Sequence, residues 1–212
     1  DRYILFETRT SGAAQPARVW YQENAEPSYT CLFEERLGPK GEGGKWVCNP
    51  SSLHYTAECL VYSIGSNNDF CFEEAILDVS RDCEIHVFDH TVKNPSKKPR
   101  RVHFHPWGLA SVTDATKNLK TLADLVAELG HTGKKISILK IDCEGCESEF
   151  LTSFDFTLFK VQVVNYEPNT AAIRFTDEIG AALARHKLIY NQTLQDKVFV
   201  RVDDDWFAAS QT

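Results

Sequence analysis

An open α/β sheet, mostly parallel and flanked by helices on both faces, is the fold the sequence predicts over residues 58–212. Three observations predict it. From Cys59 onward, apolar runs of strand length alternate with segments of helical spacing. The runs are apolar throughout rather than apolar on every second residue, as strands covered on both faces are. The last two runs, within "LIYNQTLQDKVFVRV", adjoin with no helix between them. That ending predicts an antiparallel strand at one edge.

The elements follow in order. "CLVYSIG" (59–65) is an apolar run closed by glycine and reads as a buried strand. Phe72, Ala75, Ile76 and Val79 then recur at helical spacing. "CEIHVFDH" (83–90) is a second strand ending at Asp89, and "VKNPSKKPRR" after it is a basic loop with two prolines. "VHFHPWGLA" (102–110) is a third strand. Leu119, Leu122, Leu125, Val126 and Leu129 mark one face of a helix that stops at Gly130. "ISILKID" (136–142) is a fourth strand and "VQVVNYE" (161–167) a fifth. Phe150, Leu151 and Phe154 mark a short helix between them, and Ile173, Ile179 and Leu183 a later one. Two strands meeting at Gln195-Asp196 bring the total to seven. Residues 1–57 carry no clean periodicity, and "RLGPKGEGGKWVCNP" (36–50) is glycine-rich loop. This segment is expected to pack on or cap the core as an N-terminal extension, with 58–212 as one globular unit.

Bulk properties exclude several classes. A chain of 212 residues suits one domain with a full core. The formal net charge of −7 argues against a general nucleic-acid binder, which needs a basic surface. No apolar run reaches the roughly 18 residues that would span a membrane. The absence of methionine points to a processed or trimmed segment, with a signal peptide, anchor or further domain expected upstream. Seven cysteines and the sequon Asn191-Gln192-Thr193 lean towards a secretory lumen, although scattered cysteines also serve as small buried hydrophobes.

In open α/β sheets the ligand sits beyond the C-terminal ends of the strands. The residues there are Gly65, Asp89, Trp107, Asp142 and Glu167. Gly65 opens "SIGSNNDF", where a glycine lets a ligand approach the backbone. The loop lacks the G-x-G-x-x-G that bares helix amides to a pyrophosphate, and Asp69 would repel one. Asp89 is placed to accept the two hydroxyls of a ribose. The pocket therefore calls for an adenosine-like ligand without pyrophosphate. S-adenosylmethionine meets that description, and its cationic sulfonium and amino groups suit a carboxylate-lined cleft.

These stretches resemble the class I methyltransferases, and within them the FkbM type, over about residues 59–202. "SIGSN" is similar to the glycine-led loop of that type, "VFDH" to its acidic second strand end, and "LKIDCEGCE" to its fourth-strand motif. "GGKWVC" in the leading segment resembles a subgroup of eukaryotic methyltransferase-like proteins. The resemblance implies a Rossmann-like seven-stranded sheet and S-adenosylmethionine as cofactor, held by Gly65, Ser66, Asn67, Asp89 and Asp142; Trp107, at a strand end, reads equally as a ring to stack on the adenine and as core packing. Ser63 stands where the family usually has an acid. Cys143 and Cys146 occupy positions that take small apolar residues in the family motif, and so read as compact fillers. A redox role is opposed by the neighbouring Asp142, Glu144 and Glu147, which would raise a thiol pKa. A zinc site would need about four ligands, and no second CxxC exists.

Methyl transfer needs alignment first and a base only for a weakly acidic acceptor. Asp142, Glu144 and Glu167 are the candidate catalytic carboxylates, with His90, His103 and His105 nearby in sequence. His103 and His105 read as exposed histidines at a sheet end. The acidic strand ends would suit Mg²⁺, or equally serve as acceptors for backbone amides. The expected activity is O-methylation of a glycan or another small hydroxylated acceptor. An inactive cofactor-binding interaction module, supported by Ser63, and a nicotinamide-dependent oxidoreductase are the alternatives.

Overall fold

The computed structural model describes residues 33–40, 43–55, 58–143 and 145–146, together with the backbone of three later strands at 161–166, 186–191 and 197–201. It is a mixed α/β fold built on a parallel sheet. Two short strands, β1 (Glu34–Leu37) and β2 (Lys45–Cys48), form an antiparallel hairpin. A 3-10 turn at Pro50–His54 follows. The sheet proper begins with β3 (Leu60–Ile64), β4 (Glu84–Phe88) and β5 (Val102–His105), and continues with β8 (Ile136–Ile141). Between β5 and β8 lie β6 (Gly108–Leu109) and β7 (Leu119–Lys120), a separate parallel pair. Strands β8, β3, β4 and β5 lie side by side and parallel.

The sheet is extended by backbone alone through β9 (Val161–Tyr166), β10 (His186–Asn191) and β11 (Lys197–Arg201). The strand order is β10-β11-β9-β8-β3-β4-β5. β11 runs antiparallel to both of its neighbours. The sequence places the antiparallel strand at the edge; in the structure it is one place in, with β10 outside it. The reason is that an adjacent strand pair must form a hairpin, but its apolar pattern does not say which member docks on β9. The helices expected around 150–154 and 173–183 fall outside the described residues.

Among the described residues, two helices flank the parallel strands. In α1 (Cys71–Val79), Phe72 and Ile76 are buried at helical spacing, and Glu73 and Glu74 complement the dipole of the first turn. The Asp69 carboxylate accepts the Cys71 amide, satisfying one orphan donor at this end. In α2 (Leu122–Glu128), Thr121 caps the start by accepting the Asp124 amide at 3.1 Å. The helix stops before Gly130, whose φ of 70° ends the αR run. The apolar spacing puts Leu119 on this helix. It belongs instead to β7, because Thr121 caps the helix two residues later. Pro106 likewise separates β5 from β6 where one strand was expected, since it lacks an amide for the ladder.

Strand alternation assigns the two faces. Val61, Ile85, Val87, Val102 and Ile138 pack with Phe72 and Ile76 of α1 in one cluster, which also takes in Leu37, Val47 and Leu53 from the leading segment. Each fully buried Val or Ile contributes about 1.5–3 kcal/mol. The opposite face carries Tyr62, His86 and Phe88, with His131, just beyond α2, against them. His105 is tied to His86 at 2.9 Å rather than standing free at the sheet end, whereas His103 is exposed. Burial, with the neighbouring histidines, brings His105 down to about 4 and keeps it neutral. Among the described residues, no helix is long and apolar enough to cross a membrane.

Cys59 and Cys83 sit one residue before β3 and β4 and are joined in a disulfide, with Cα atoms 4.5 Å apart. The bridge closes a loop across 24 residues of sequence around α1. Replacing both cysteines with alanine should lower the unfolding free energy by about 3 kcal/mol in urea titrations, from restored loop entropy in the unfolded chain. An unchanged urea midpoint would show that the bridge does not constrain the chain.

Candidate active site

The parallel strands diverge at one place. From β3 the chain builds outward through β4 and β5, then returns to place β8 on the other flank of β3. The crevice at the C-terminal ends of β3 and β8 is therefore the switch point of the sheet, where ligands bind in such folds. A cavity of about 580 Å³ opens there, within the range of small-molecule pockets. Its lining includes Gly65, Ser66, Asn67, Asp89, Asp142 and, from the basic side, Lys45 and Lys140.

Gly65 is required at this position. Its φ is +80°, and a Cβ would come within 1.7 Å of the Asp142 carbonyl oxygen. The backbone of the loop thus lies directly against the end of β8, with the Asp142 amide donating to the Ile64 carbonyl at 3.0 Å.

Asp89 holds the loop from the other side. Its Oδ2 accepts the Ser66 amide at 2.9 Å, the Asn67 amide at 2.8 Å and the Ser66 hydroxyl at 3.3 Å. Its Oδ1 accepts the Thr91 amide at 2.9 Å and the Thr91 hydroxyl at 2.6 Å. Burial by itself would raise this carboxyl. The hydrogen bonds from Thr91, Ser66 and Asn67 outweigh burial and bring it down to about 2. Three of the five donors are backbone amides and two are hydroxyls that can rotate away.

The far wall is a charge cluster that the sequence reading did not assemble. Asp142 Oδ2 lies 3.1 Å from Lys45 Nζ and 3.7 Å from Lys140 Nζ, and both lysine side chains are buried. Lys140 also donates to the Gly65 carbonyl. Glu73 of α1, 1% exposed, also lines the cavity. Burial pushes its carboxyl up, and the Lys140 charge offsets this only in part. A legible signal existed for Lys140, a lysine inside an apolar strand, which needs a partner. Lys45 gave none, because only the folded hairpin brings β2 to the end of β8. Two ammonium groups stand on the Asp142 oxygen where Mg²⁺ would have to approach, so this strand end does not suit that ion.

The remaining expected site residues divide as follows. Trp107 is not among the cavity-lining residues; its ring stacks on His105 at 4.8 Å and carries Lys120 Nζ 4.5 Å from its centre. His90 lines the cavity from its exposed rim. Glu144 and Glu167 fall outside the described residues. Cys143 and Cys146 are not free fillers: they form a disulfide, with Cα atoms 5.7 Å apart, and both line the cavity. Gly145 between them has φ +130°, which lets the turn close.

A family model described as a methyltransferase domain matches residues 3–182. No curated protein matches the chain. With a ligand crevice at the switch point and a family match over most of its length, the chain belongs to the methyltransferase-domain family and is an enzyme that transfers methyl groups.

Proposed function

We propose that the protein is an S-adenosylmethionine-dependent O-methyltransferase of the class I, FkbM type, with a Rossmann-like seven-stranded sheet, acting on a hydroxyl of a glycan or another small hydroxylated acceptor. The observation that carries the reading is the crevice between Gly65, Asp89 and Asp142, which has room for a nucleoside but no phosphate-binding glycine pattern. Strand order supports the class: numbered along the chain, the sheet strands run 3-2-1-4-5-7-6.

The residues present fit the cofactor. Gly65 lines the cavity, and its missing side chain lets the loop beside an adenosine lie against the end of β8. Asp89 would accept the ribose hydroxyls in place of the Ser66 and Thr91 hydroxyls, while the three amides keep the loop in place. Lys45 and Lys140 suit the carboxylate of the methionine end, and Asp142 and Glu73 its ammonium. The cofactor would supply a methyl group made electrophilic by its sulfonium. Glu73 bears on the inactive-module alternative: it brings to the cavity lining a buried carboxylate, which Ser63 does not supply. The oxidoreductase alternative lacks a pyrophosphate cradle and would set phosphates near Asp69 and Glu73.

The acceptor class draws on the FkbM-type resemblance and on the cysteines. Cys48, Cys59, Cys83, Cys143 and Cys146 are all disulfide-bonded, which suits an oxidising compartment such as the secretory lumen, where glycans are modified.

Three outcomes test the proposal. S-adenosylmethionine or its demethylated product should raise the melting temperature by mass action, and NAD should not. A shift with NAD alone would overturn the reading. Asp89→Ala should weaken cofactor binding at least tenfold by calorimetry, the scale of one charge-assisted hydrogen bond of about 1.5–3 kcal/mol. Thr91→Val should leave binding intact, because the ribose replaces that hydroxyl; undiminished affinity in Asp89→Ala removes the ribose assignment. Asp142→Asn should slow transfer from labelled cofactor about a hundredfold, on whichever acceptor a panel of glycans, proteins and phenols reveals. Wild-type rates in that variant would move the reacting centre away from β8.

A further inference from the structure

We propose that Glu84, His86 and His131 form a binding site for a divalent transition-metal ion of the zinc type, on the sheet face opposite α1 and outside the methyl-transfer crevice. Glu84 Oε1 lies 3.0 Å from His86 Nε2 and 3.2 Å from His131 Nε2. The three ligand atoms all lie within 4.8 Å of one another. An ion at about 2.0–2.1 Å from tetrahedral ligands needs them roughly 3.3 Å apart. Two of the three separations already have that length, and the third, between the two Nε2 atoms, lies within 4.8 Å and would close as the rings swing onto the ion.

The donor set selects the ion. Two imidazoles and one carboxylate suit zinc and its neighbours, whereas Mg²⁺ and Ca²⁺ prefer oxygen alone. Each imidazole has its other nitrogen engaged: His131 Nδ1 meets the Tyr62 hydroxyl at 2.8 Å, and His86 Nδ1 meets His105 Nε2 at 2.9 Å. With an ion on the two Nε2 atoms, both Nδ1–H groups donate to these partners. Outer partners of this kind fix ring orientation at metal sites.

Access and charge also fit. The His86 and His131 side chains are buried, while that of Glu84 is 43% exposed, so the ion enters from the glutamate side. Lys134 Nζ, 3.7 Å from Glu84 Oε2, is a like charge beside the ion. Its side chain is exposed, so it can turn into solvent. A water would complete four ligands. Glu84 and His86 belong to β4 and His131 follows α2, so the ion would tie the end of that helix to the sheet. Its role is structural.

The test is a titration of chelator-treated, desalted protein with zinc alone. One equivalent should bind, with a melting temperature several degrees higher at on the order of 100 µM zinc. Cobalt should give the intense visible bands of a four-coordinate site. Glu84→Gln and His131→Gln should each weaken binding at least tenfold, and Tyr62→Phe about tenfold with all ligands retained. Should His131→Gln fail to fold, Glu84→Gln, altered at a half-exposed side chain, decides alone. Three results would overturn the proposal: no binding or melting shift with zinc, unchanged affinity in Glu84→Gln, or loss of binding in Cys71→Ser, which carries the exposed free thiol. In the first case the cluster is a hydrogen-bond network in which both Nε2–H groups donate to Glu84.

Discussion

The candidate active site depends on one buried carboxylate. Asp89 directly follows β4 and gathers amides from two loops, those after β3 and after β4, around its two oxygens. Without a negative acceptor there, the Ser66, Asn67 and Thr91 amides would all lose their partner, and the buried Ser66 donor left unpaired would by itself cost about 1–3 kcal/mol. The backbone turn at Gly65 is held between this carboxylate and the end of β8. The shape of the crevice follows from that clamp.

The charge cluster opposite has a different logic. Lys45 and Lys140 are buried and share one oxygen of Asp142, and Lys140 also meets the Gly65 carbonyl. Ion pairs of this kind add little net stability, because desolvation cancels much of the attraction. They do set positions. The hairpin of β1 and β2 delivers Lys45 to the crevice, so this hairpin contributes a wall residue to the cavity.

The two faces of the sheet are chemically unlike. One is an apolar core shared by α1, the hairpin and five strand residues. The other is lined by Tyr62, His86, His105 and His131, joined through ring nitrogens and a phenol. Burial lowers the pKa of His86 and His131 and keeps these rings neutral near pH 7. Each buried imidazole then needs a partner for both nitrogens, and the Tyr62–His131–Glu84–His86–His105 chain supplies them.

The local pattern by itself determined the elements. Largely apolar runs mark β3, β4 and β8 because a strand covered on both faces shows few polar positions, and those it shows, such as His86 and Lys140, need partners. Glycine and the acidic strand ends marked Gly65, Asp89 and Asp142 because those roles are carried by single residues next to recognisable runs. The start of α2 and the break at Pro106 were missed, since a leucine at helical spacing and a strand across proline both look regular until caps and amides are counted. What only the tertiary structure decided is everything that joins distant segments. Lys45 meets Asp142 across about a hundred residues, and Glu84 and His131 meet across 47. Cys59 pairs with Cys83 because parallel neighbours bring residues one place before each strand into register. No short-range pattern encodes such meetings. They follow from sheet order and register, which are set when strands choose neighbours by mutual burial rather than by their own sequence.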